Sequence, residues 1–263
     1  MGMNKSIYTS RLLKGGALLE DMRKLIISFN GEDVNRSGLG HLLEALLGKK
    51  TRKRAKDVYR QIFVSRFLKG DPKDAWRIVK PLEAKGFGKE VIYPVYYWIT
   101  ARSEPVIYDF VVDRLFFMKI GQVILINDVE KWLRNRLRSQ GISWSDSVIL
   151  RVAQGMLATL RDFGILEGRV KKRLTPYYIS VEAFSYIAFC LYRLGNTGAH
   201  LIKHRDWGLF LLDPQGIEKL FLTAHQMKYL SFDVAGSIYR IEFIAKNCEE
   251  MANVIYGRGY KGS

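Results

Sequence analysis

Apolar residues recur every three or four positions along most of this chain, and glycine or proline ends the runs. This spacing places apolar side chains on one face of an α-helix, whereas a strand alternates every second residue. The most regular run spans residues 149–160 and is followed by Gly164. Similar runs cover residues 18–29, 39–47 and 55–67. The sequence therefore predicts a mainly α fold.

Two segments depart from the helical spacing. Residues 165–174 place Gly168-Arg169 between two short runs, which predicts a β-hairpin, and residues 238–243 alternate as a strand does. Gly86-Phe87-Gly88 separates two helical patterns, and the 263 residues are enough for one or two domains. We therefore expect two domains, residues 1–88 and residues 89–263.

Lysine and arginine outnumber aspartate and glutamate by 42 to 26, a formal net charge of +16 at pH 7. Such a charge favours association with an anionic partner, although it says nothing about the fold. Nucleic acid is the commonest partner of this kind, and an anionic membrane surface, the ribosome or an acidic protein are the alternatives. Hydrophobic residues make up 48% of the chain, which is enough for a core and excludes disorder over most of the length.

The longest run without a charged residue is the segment 91–101. Because a membrane-spanning helix needs about 20 mainly apolar residues, the sequence predicts no membrane span. Arg11 and Lys14 precede any apolar stretch long enough for a signal peptide, so we expect a cytoplasmic protein. Cys190 and Cys248 are too few for a disulfide framework, which agrees with a reducing compartment.

The first candidate site lies where two helical patterns meet at Gly48-Lys49-Lys50. Two helices joined by a short glycine-containing turn form a helix-turn-helix, whose second helix enters the DNA major groove by its N-terminal end. Cations at a helix N-terminus oppose the helix dipole, and phosphate contact would relieve that repulsion. A solvated face and an acidic protein partner are the alternatives. The candidate DNA-binding residues are Lys49, Lys50, Arg52, Lys53, Arg54, Lys56 and Arg60.

The second candidate site spans about residues 106–174. Its predicted order is helix, helix, turn, long helix and basic hairpin, which is the order of a winged helix. Short polar side chains and arginines on the long helix are suited to base edges or phosphates. The candidate DNA-binding residues are Arg134, Arg138, Ser147, Arg151, Gln154, Arg169, Lys171, Lys172 and Arg173. Winged helices also serve as protein-docking modules, so that alternative stays open.

The sequence contains partial matches to catalytic and metal-binding motifs, but each lacks a residue that the motif requires. Gly48-Lys49-Lys50-Thr51 is similar to the end of a phosphate-binding loop, but Leu43 stands where that motif needs a glycine. His200 and His204 are spaced like two zinc ligands on a helix, yet no third ligand is evident. We therefore expect no enzymatic activity, no metal, no cofactor and no small-molecule substrate.

Three segments carry a resemblance to a known family: YTSRLLKGGAL at 8–18, YDFV at 108–111 and MLATLRDFGIL at 156–166. They resemble the BrxA family of bacterial BREX anti-phage defence systems, and the likeness spans nearly the whole chain. The resemblance implies a non-enzymatic accessory protein that binds DNA through helix-turn-helix-like and winged-helix-like parts. It transfers no active site, because the shared motifs are structural.

These observations together predict a mainly α fold with a helix-turn-helix part, a winged-helix part and short β-hairpins. The favoured function is a DNA-binding component of phage defence, with double-stranded DNA and other BREX proteins as partners. A protein-interaction adaptor that docks other defence subunits through the same basic surfaces is the main alternative. An RNA-binding or ribosome-associated protein is a third.

Overall fold

The computed structural model describes residues 7–31, 39–236 and 238–258. The chain divides into two compact units, which we call the first unit (residues 1–75 and 99–176) and the second unit (residues 76–98 and 177–263). Both units are discontinuous in sequence. This division differs from a single boundary at residue 88, and independent folding of residues 1–88 and 89–263 stays a prediction.

The helices follow one another in chain order. They are α1 Leu19–Ser28, α2 Leu39–Leu47, α3 Arg52–Asp57, α4 Trp76–Ala84, α5 Lys89–Ser103, α6 Pro105–Asp113, α7 Ile126–Ser139, α8 Asp146–Asp162, α9 Val181–Arg193, α10 Gly198–Ile202, α11 Pro214–Gln226 and α12 Cys248–Gly257. A π-helix, Val58–Leu68, continues α3. Short 3₁₀ helices occupy Arg11–Leu13, Leu115–Phe117 and Arg205–Phe210.

Two small antiparallel sheets accompany the helices. In the first unit, β1 (Val123–Ile124), β2 (Leu166–Glu167) and β3 (Lys172–Leu174) form a sheet in the order β1-β3-β2. In the second unit, β4 (Ser231–Ala235) pairs with β5 (Ile238–Glu242). The predicted mainly α fold with short β-hairpins is confirmed.

Several helices begin where the sequence places a capping residue. The Thr51 side chain accepts a hydrogen bond from the Arg54 backbone N–H at 3.2 Å, at the start of α3. Ser180 accepts one from Ala183 at the start of α9. These bonds satisfy backbone donors that the first helical turn leaves unpaired.

Two helices do not begin at the nearby residues that have the composition of a cap. Asp71-Pro72 has the composition of a cap and first turn, but α4 begins at Trp76, and the Asp71 carboxylate binds Arg102 Nη2 at 2.7 Å instead. Asn127 has the composition of a cap for α7, but that helix begins at Ile126 without a side-chain cap. The chain leaves β1 and enters α7 almost directly, so no capping turn intervenes.

The segment from Tyr8 to Gly16, which we call the strap, contacts several helices of the first unit. Its Tyr8 hydroxyl donates to Asp109 Oδ2 at 2.8 Å, and its Tyr8 backbone N–H donates to Gln140. Burial, followed by the Asp109 carboxylate, raises the pKa of the Tyr8 phenol. Leu12 is buried against α8, where a Cβ at Gly155 would lie 3.0 Å from the Leu12 carbonyl oxygen. The strap therefore closes against α6, α7 and α8 together.

A buried ion pair lies beneath the strap. Arg66 and Glu104 side chains are both fully buried, and Arg66 Nε lies 3.2 Å from Glu104 Oε1. Arg66 Nη1 also donates to the Gly16 carbonyl at 2.9 Å, and Arg11 Nη2 lies 3.6 Å from Glu104 Oε2. This cluster joins the π-helix, the start of α6 and the strap at Arg11 and Gly16.

The second unit is built around α9, which is buried on nearly every side as the sequence predicts. Phe184 stacks on Trp207 with ring centroids 4.5 Å apart, and Phe221 meets Phe184 edge-on at 4.8 Å. Trp98 Nε1 donates to the buried Asp206 carboxylate at 2.6 Å. Among the residues described, no helix is long and apolar enough to cross a membrane.

Candidate nucleic-acid interface

The first basic surface lies along α3 and the start of the π-helix. Lys53, Lys56 and Arg60 are exposed, and their spacing of three and four places them on one side of the helix. Lys50 is exposed in the turn before α3. Within the described part of the chain, no carboxylate pairs with these four side chains. They form an exposed cationic stripe.

The other three cations predicted here take part in internal contacts. Lys49 Nζ lies 2.7 Å from Asp21 Oδ2 of α1, and Arg52 Nε lies 3.2 Å from Glu44 Oε2 of α2. Arg54 donates to the backbone carbonyl of Lys14 in the strap. These contacts hold α3 in place, a role that the sequence alone does not reveal.

The second basic surface is the β2–β3 hairpin. Arg169, Lys171 and Arg173 are exposed, and no carboxylate among the described residues pairs with them. Lys172 is half-buried, and its Nζ donates to the Arg169 carbonyl at 3.3 Å. Because β3 pairs with both β1 and β2, the hairpin is held on a three-stranded sheet.

Helix α8 lies beside this hairpin. Its buried side carries Val152, Met156 and Leu160, as the apolar spacing predicts. Ser147, Arg151 and Gln154 are exposed on its other side, which also agrees with that spacing. Gln154 lines the same groove as Lys171 and Lys172, so the structure brings these predicted residues together.

The two predicted arginines of α7 differ in their surroundings. Arg134 lies 2.7 Å from Asp146 Oδ1 and 3.7 Å from Glu130 Oε2, so carboxylates already neutralise it. Arg138 is exposed in the last helical turn, where a cation is favoured by the helix dipole. Among the residues that the structure describes, Arg134 has carboxylate partners and Arg138 has none.

An apolar groove between α8 and the hairpin is absent from the sequence-based prediction. It encloses about 340 Å³ and includes Leu125, Leu150 and Val170. Their side chains are 58%, 37% and 90% exposed, respectively. The groove is therefore an exposed apolar surface next to the cations of the hairpin. Leu150 lies off the three-and-four spacing of the run at 149–160, and Val170 lies in the predicted hairpin, which is the signal that identifies them.

The strap lies against both α3 and α8. A Cβ at Gly15 would lie 3.7 Å from Arg54 Nη2 of α3, and one at Gly16 would lie 3.1 Å from Thr159 Oγ1 of α8. Consecutive strap residues therefore meet the N-terminal part of α3 and the C-terminal part of α8. Both basic surfaces belong to the first unit.

These features define a class: a mainly helical protein whose first unit displays exposed cations on a capped helix and on a short β-hairpin. Within the described residues, no cluster of three or more acidic, histidine or cysteine side chains is suited to a metal ion. The BrxA family model matches residues 6–189, and the chain belongs to the BrxA family. It is accordingly a BREX-associated defence component. No curated protein and no solved structure matches the chain significantly.

Proposed function

We propose that the first unit binds duplex DNA and that the protein serves BREX defence as a non-enzymatic, cytoplasmic accessory component. The observation that carries this proposal is the β2–β3 hairpin, whose exposed cations stand beside the exposed side of α8. The surrounding order α6-β1-α7-α8-β2-β3, with the sheet order β1-β3-β2, is the order of a winged helix. In that architecture α8 is the recognition helix and the hairpin is the wing.

The chemistry of the exposed side chains supports phosphate contact more than base reading. Four of the exposed side chains on α8 and the hairpin are cations: Arg151, Arg169, Lys171 and Arg173. Ser147 and Gln154 of α8 are neutral polar side chains suited to base edges. Phosphate contacts carry no sequence information. We therefore expect binding that is strongly salt-dependent and weakly sequence-specific.

The stripe on α3 supplies a second contact. Helices α2 and α3 with their turn have the arrangement of a helix-turn-helix, and Lys50, Lys53, Lys56 and Arg60 leave their charge exposed. Lys49, Arg52 and Arg54 support α3 through their internal contacts. In this proposal the first group contacts phosphates, and the second group positions the helix that carries them.

The test removes three hairpin charges together, in the variant Arg169→Gln, Lys171→Gln, Arg173→Gln. Each lost phosphate contact lowers the slope of log affinity against log salt by about one, so the slope should fall by up to about three. Affinity for duplex DNA at low salt should fall by at least about tenfold. The matched control is Lys24→Gln, Lys69→Gln, Lys73→Gln, which removes the same charge from exposed positions of the first unit.

The control variant distinguishes a specific DNA contact of the hairpin from a general effect of lower net charge on DNA affinity. Equal losses in the two triple variants would contradict a hairpin site, and undetectable duplex binding by the unaltered protein would contradict the function itself. Circular dichroism and thermal melting of both variants establish that the fold is intact. A titration against RNA of equal length distinguishes the RNA-binding alternative.

The apolar groove favours a second candidate, an adaptor that docks another defence subunit. Leu125, Leu150 and Val170 would remain exposed on a surface used only for phosphates, and exposed apolar patches mark protein contacts. The variant Leu150→Ser, Val170→Ser keeps every cation of the hairpin. If the groove docks a protein, this variant loses co-purification with BREX subunits while it retains duplex affinity.

A further inference from the structure

A pocket in the second unit lies outside both basic surfaces. It encloses about 430 Å³ against one face of α4, where Trp76, Arg77, Lys80, Pro81 and Ala84 follow one another at helical spacing. The rest of its wall is formed by Lys85, which follows α4, and by Glu249 of α12. The opposite face of α4 buries Val79 and Leu82, so the pocket face is the one turned outward. Its volume is in the range of small-ligand sites.

The charge of the pocket favours an anion. Three residues that line the pocket are cations, Arg77, Lys80 and Lys85, and one is a carboxylate, Glu249. These charged side chains share the wall with the indole of Trp76 and the apolar side chains of Pro81 and Ala84. A ligand that complements this wall has an anionic group and an apolar group at short separation.

Aromatic rings hold the cations of this pocket. The Arg77 guanidinium carbon lies 4.6 Å from the Trp76 ring centroid, and Lys80 Nζ lies 5.8 Å from it. Lys85 Nζ lies 5.6 Å from the centroid of the Tyr256 ring. A guanidinium that stacks by its face keeps the N–H donors at its edge available for phosphate oxygens. The pocket thus has ordered cations beside flat aromatic surface.

We propose that this pocket binds a nucleoside phosphate, with Arg77 and Lys80 on the phosphate and the Trp76, Pro81 and Ala84 surface against the base. A planar base on an aromatic or apolar surface is the usual mode of stacking recognition. Bases inside a duplex are stacked on each other and expose only their edges in the grooves. The ligand is therefore a free nucleotide or an unpaired nucleotide of a strand, and the site is separate from duplex binding by the first unit.

Calorimetric titrations with four probes test the chemistry: adenosine monophosphate, adenosine, inorganic phosphate and a short single-stranded oligodeoxyadenylate. The monophosphate should bind more tightly than adenosine or phosphate, because it contacts both parts of the wall. Binding of the oligonucleotide without the monophosphate would identify a strand as the source of the ligand. Phosphate binding as tight as that of the monophosphate, or no binding by either nucleotide probe, overturns the proposal.

The variant Arg77→Glu, Lys80→Glu locates the binding. Loss of charge-assisted hydrogen bonds should weaken nucleotide binding by at least about tenfold. Glutamate suits a helix and is favoured near its N-terminus, so α4 should persist. The control Lys203→Glu, Lys219→Glu makes the same charge change at exposed positions of the second unit that do not line the pocket. Equal weakening in variant and control overturns the proposal.

A fluorescence measurement keeps the test decisive if that variant unfolds. Trp98 and Trp207 are fully buried and Trp132 and Trp144 belong to the first unit, whereas Trp76 lines the pocket. Bound base should quench Trp76 emission, and Trp76→Phe should remove the quenching while it preserves binding. Quenching that persists in Trp76→Phe overturns the proposal. Duplex affinity, measured on the same variants, should be unchanged, so this outcome is independent of the proposed function.

Discussion

The buried pair of Arg66 and Glu104 permits a quantitative prediction about stability. In Glu104→Gln, the amide oxygen can still accept from Arg66 Nε, but the buried guanidinium loses its counter-charge. The new amide donor would also approach Arg11 Nη2, which lies 3.6 Å from Glu104 Oε2. Removing one partner of a buried ion pair costs about 3–5 kcal/mol, and the retained acceptor places this variant at about 3 kcal/mol.

The size of this effect follows from complete burial. Both side chains have an exposed fraction of 0%, so water cannot solvate the charge that is left behind. Burial already lowers the pKa of Arg66, although a guanidinium remains protonated at neutral pH. An exposed pair such as Arg52–Glu44 should cost only about 0.2–1 kcal/mol when one partner is neutralised. Glu44→Gln is therefore the matched control.

The assay is urea unfolding at neutral pH, followed by far-ultraviolet circular dichroism and tryptophan fluorescence. For a chain of this size, about 3 kcal/mol corresponds to a fall in Tm of roughly 6–12 °C. The double variant Arg66→Met, Glu104→Met removes both charges while it keeps apolar volume, so it should lose less stability than the sum of the single variants. This reasoning would be refuted if the double variant lost as much stability as the two single variants together. A loss below about 1 kcal/mol in Glu104→Gln would also refute it.

Three further predictions concern α3, alkaline stability and the strap. The variant Lys53→Glu, Lys56→Glu, Arg60→Glu should lower duplex affinity by at least about tenfold, measured by gel-shift titration, without loss of Tm. Arg52→Glu should lower Tm slightly in thermal melting, because the new carboxylate lies close to that of Glu44. Burial raises the pKa of Tyr186, so the folded state keeps this proton while the unfolded chain ionises near pH 10, and stability should fall as pH rises above about 10. Urea unfolding at neutral and alkaline pH should show a smaller fall for Tyr186→Phe. Gly155→Val should displace Leu12 and speed tryptic cleavage after Lys14 relative to the unaltered protein; equal cleavage rates would contradict close packing of the strap.

Local sequence patterns predict much of this fold. The periodic apolar runs locate α8 and α9 because each helix buries one face or nearly all faces, and the serine and threonine caps fix where α3 and α9 begin. The hairpin follows from glycine and alternation. Strand β1 is missed because two residues are too few to show alternation.

Contacts between distant residues set the limit of sequence reasoning. A run of seven cations around α3 is visible in the sequence, but the pairing of Lys49 with Asp21 and of Arg52 with Glu44 depends on how α1 and α2 pack. The same holds for Asp71, which has the composition of a cap and instead binds Arg102. Charge density indicates where a binding surface lies, and packing decides which of its cations remain available.

The strap has a consequence for the order in which the protein is made. Tyr8 is synthesised well before its partner Gln140, which lies 132 positions later in the chain. At about 5–20 residues per second, roughly 7–26 s separate the synthesis of the two. During this interval Tyr8 of the strap lacks Gln140, and the Arg66 guanidinium lacks Glu104 until that residue is synthesised. The first unit therefore closes only after residues 76–98 of the second unit have already been synthesised.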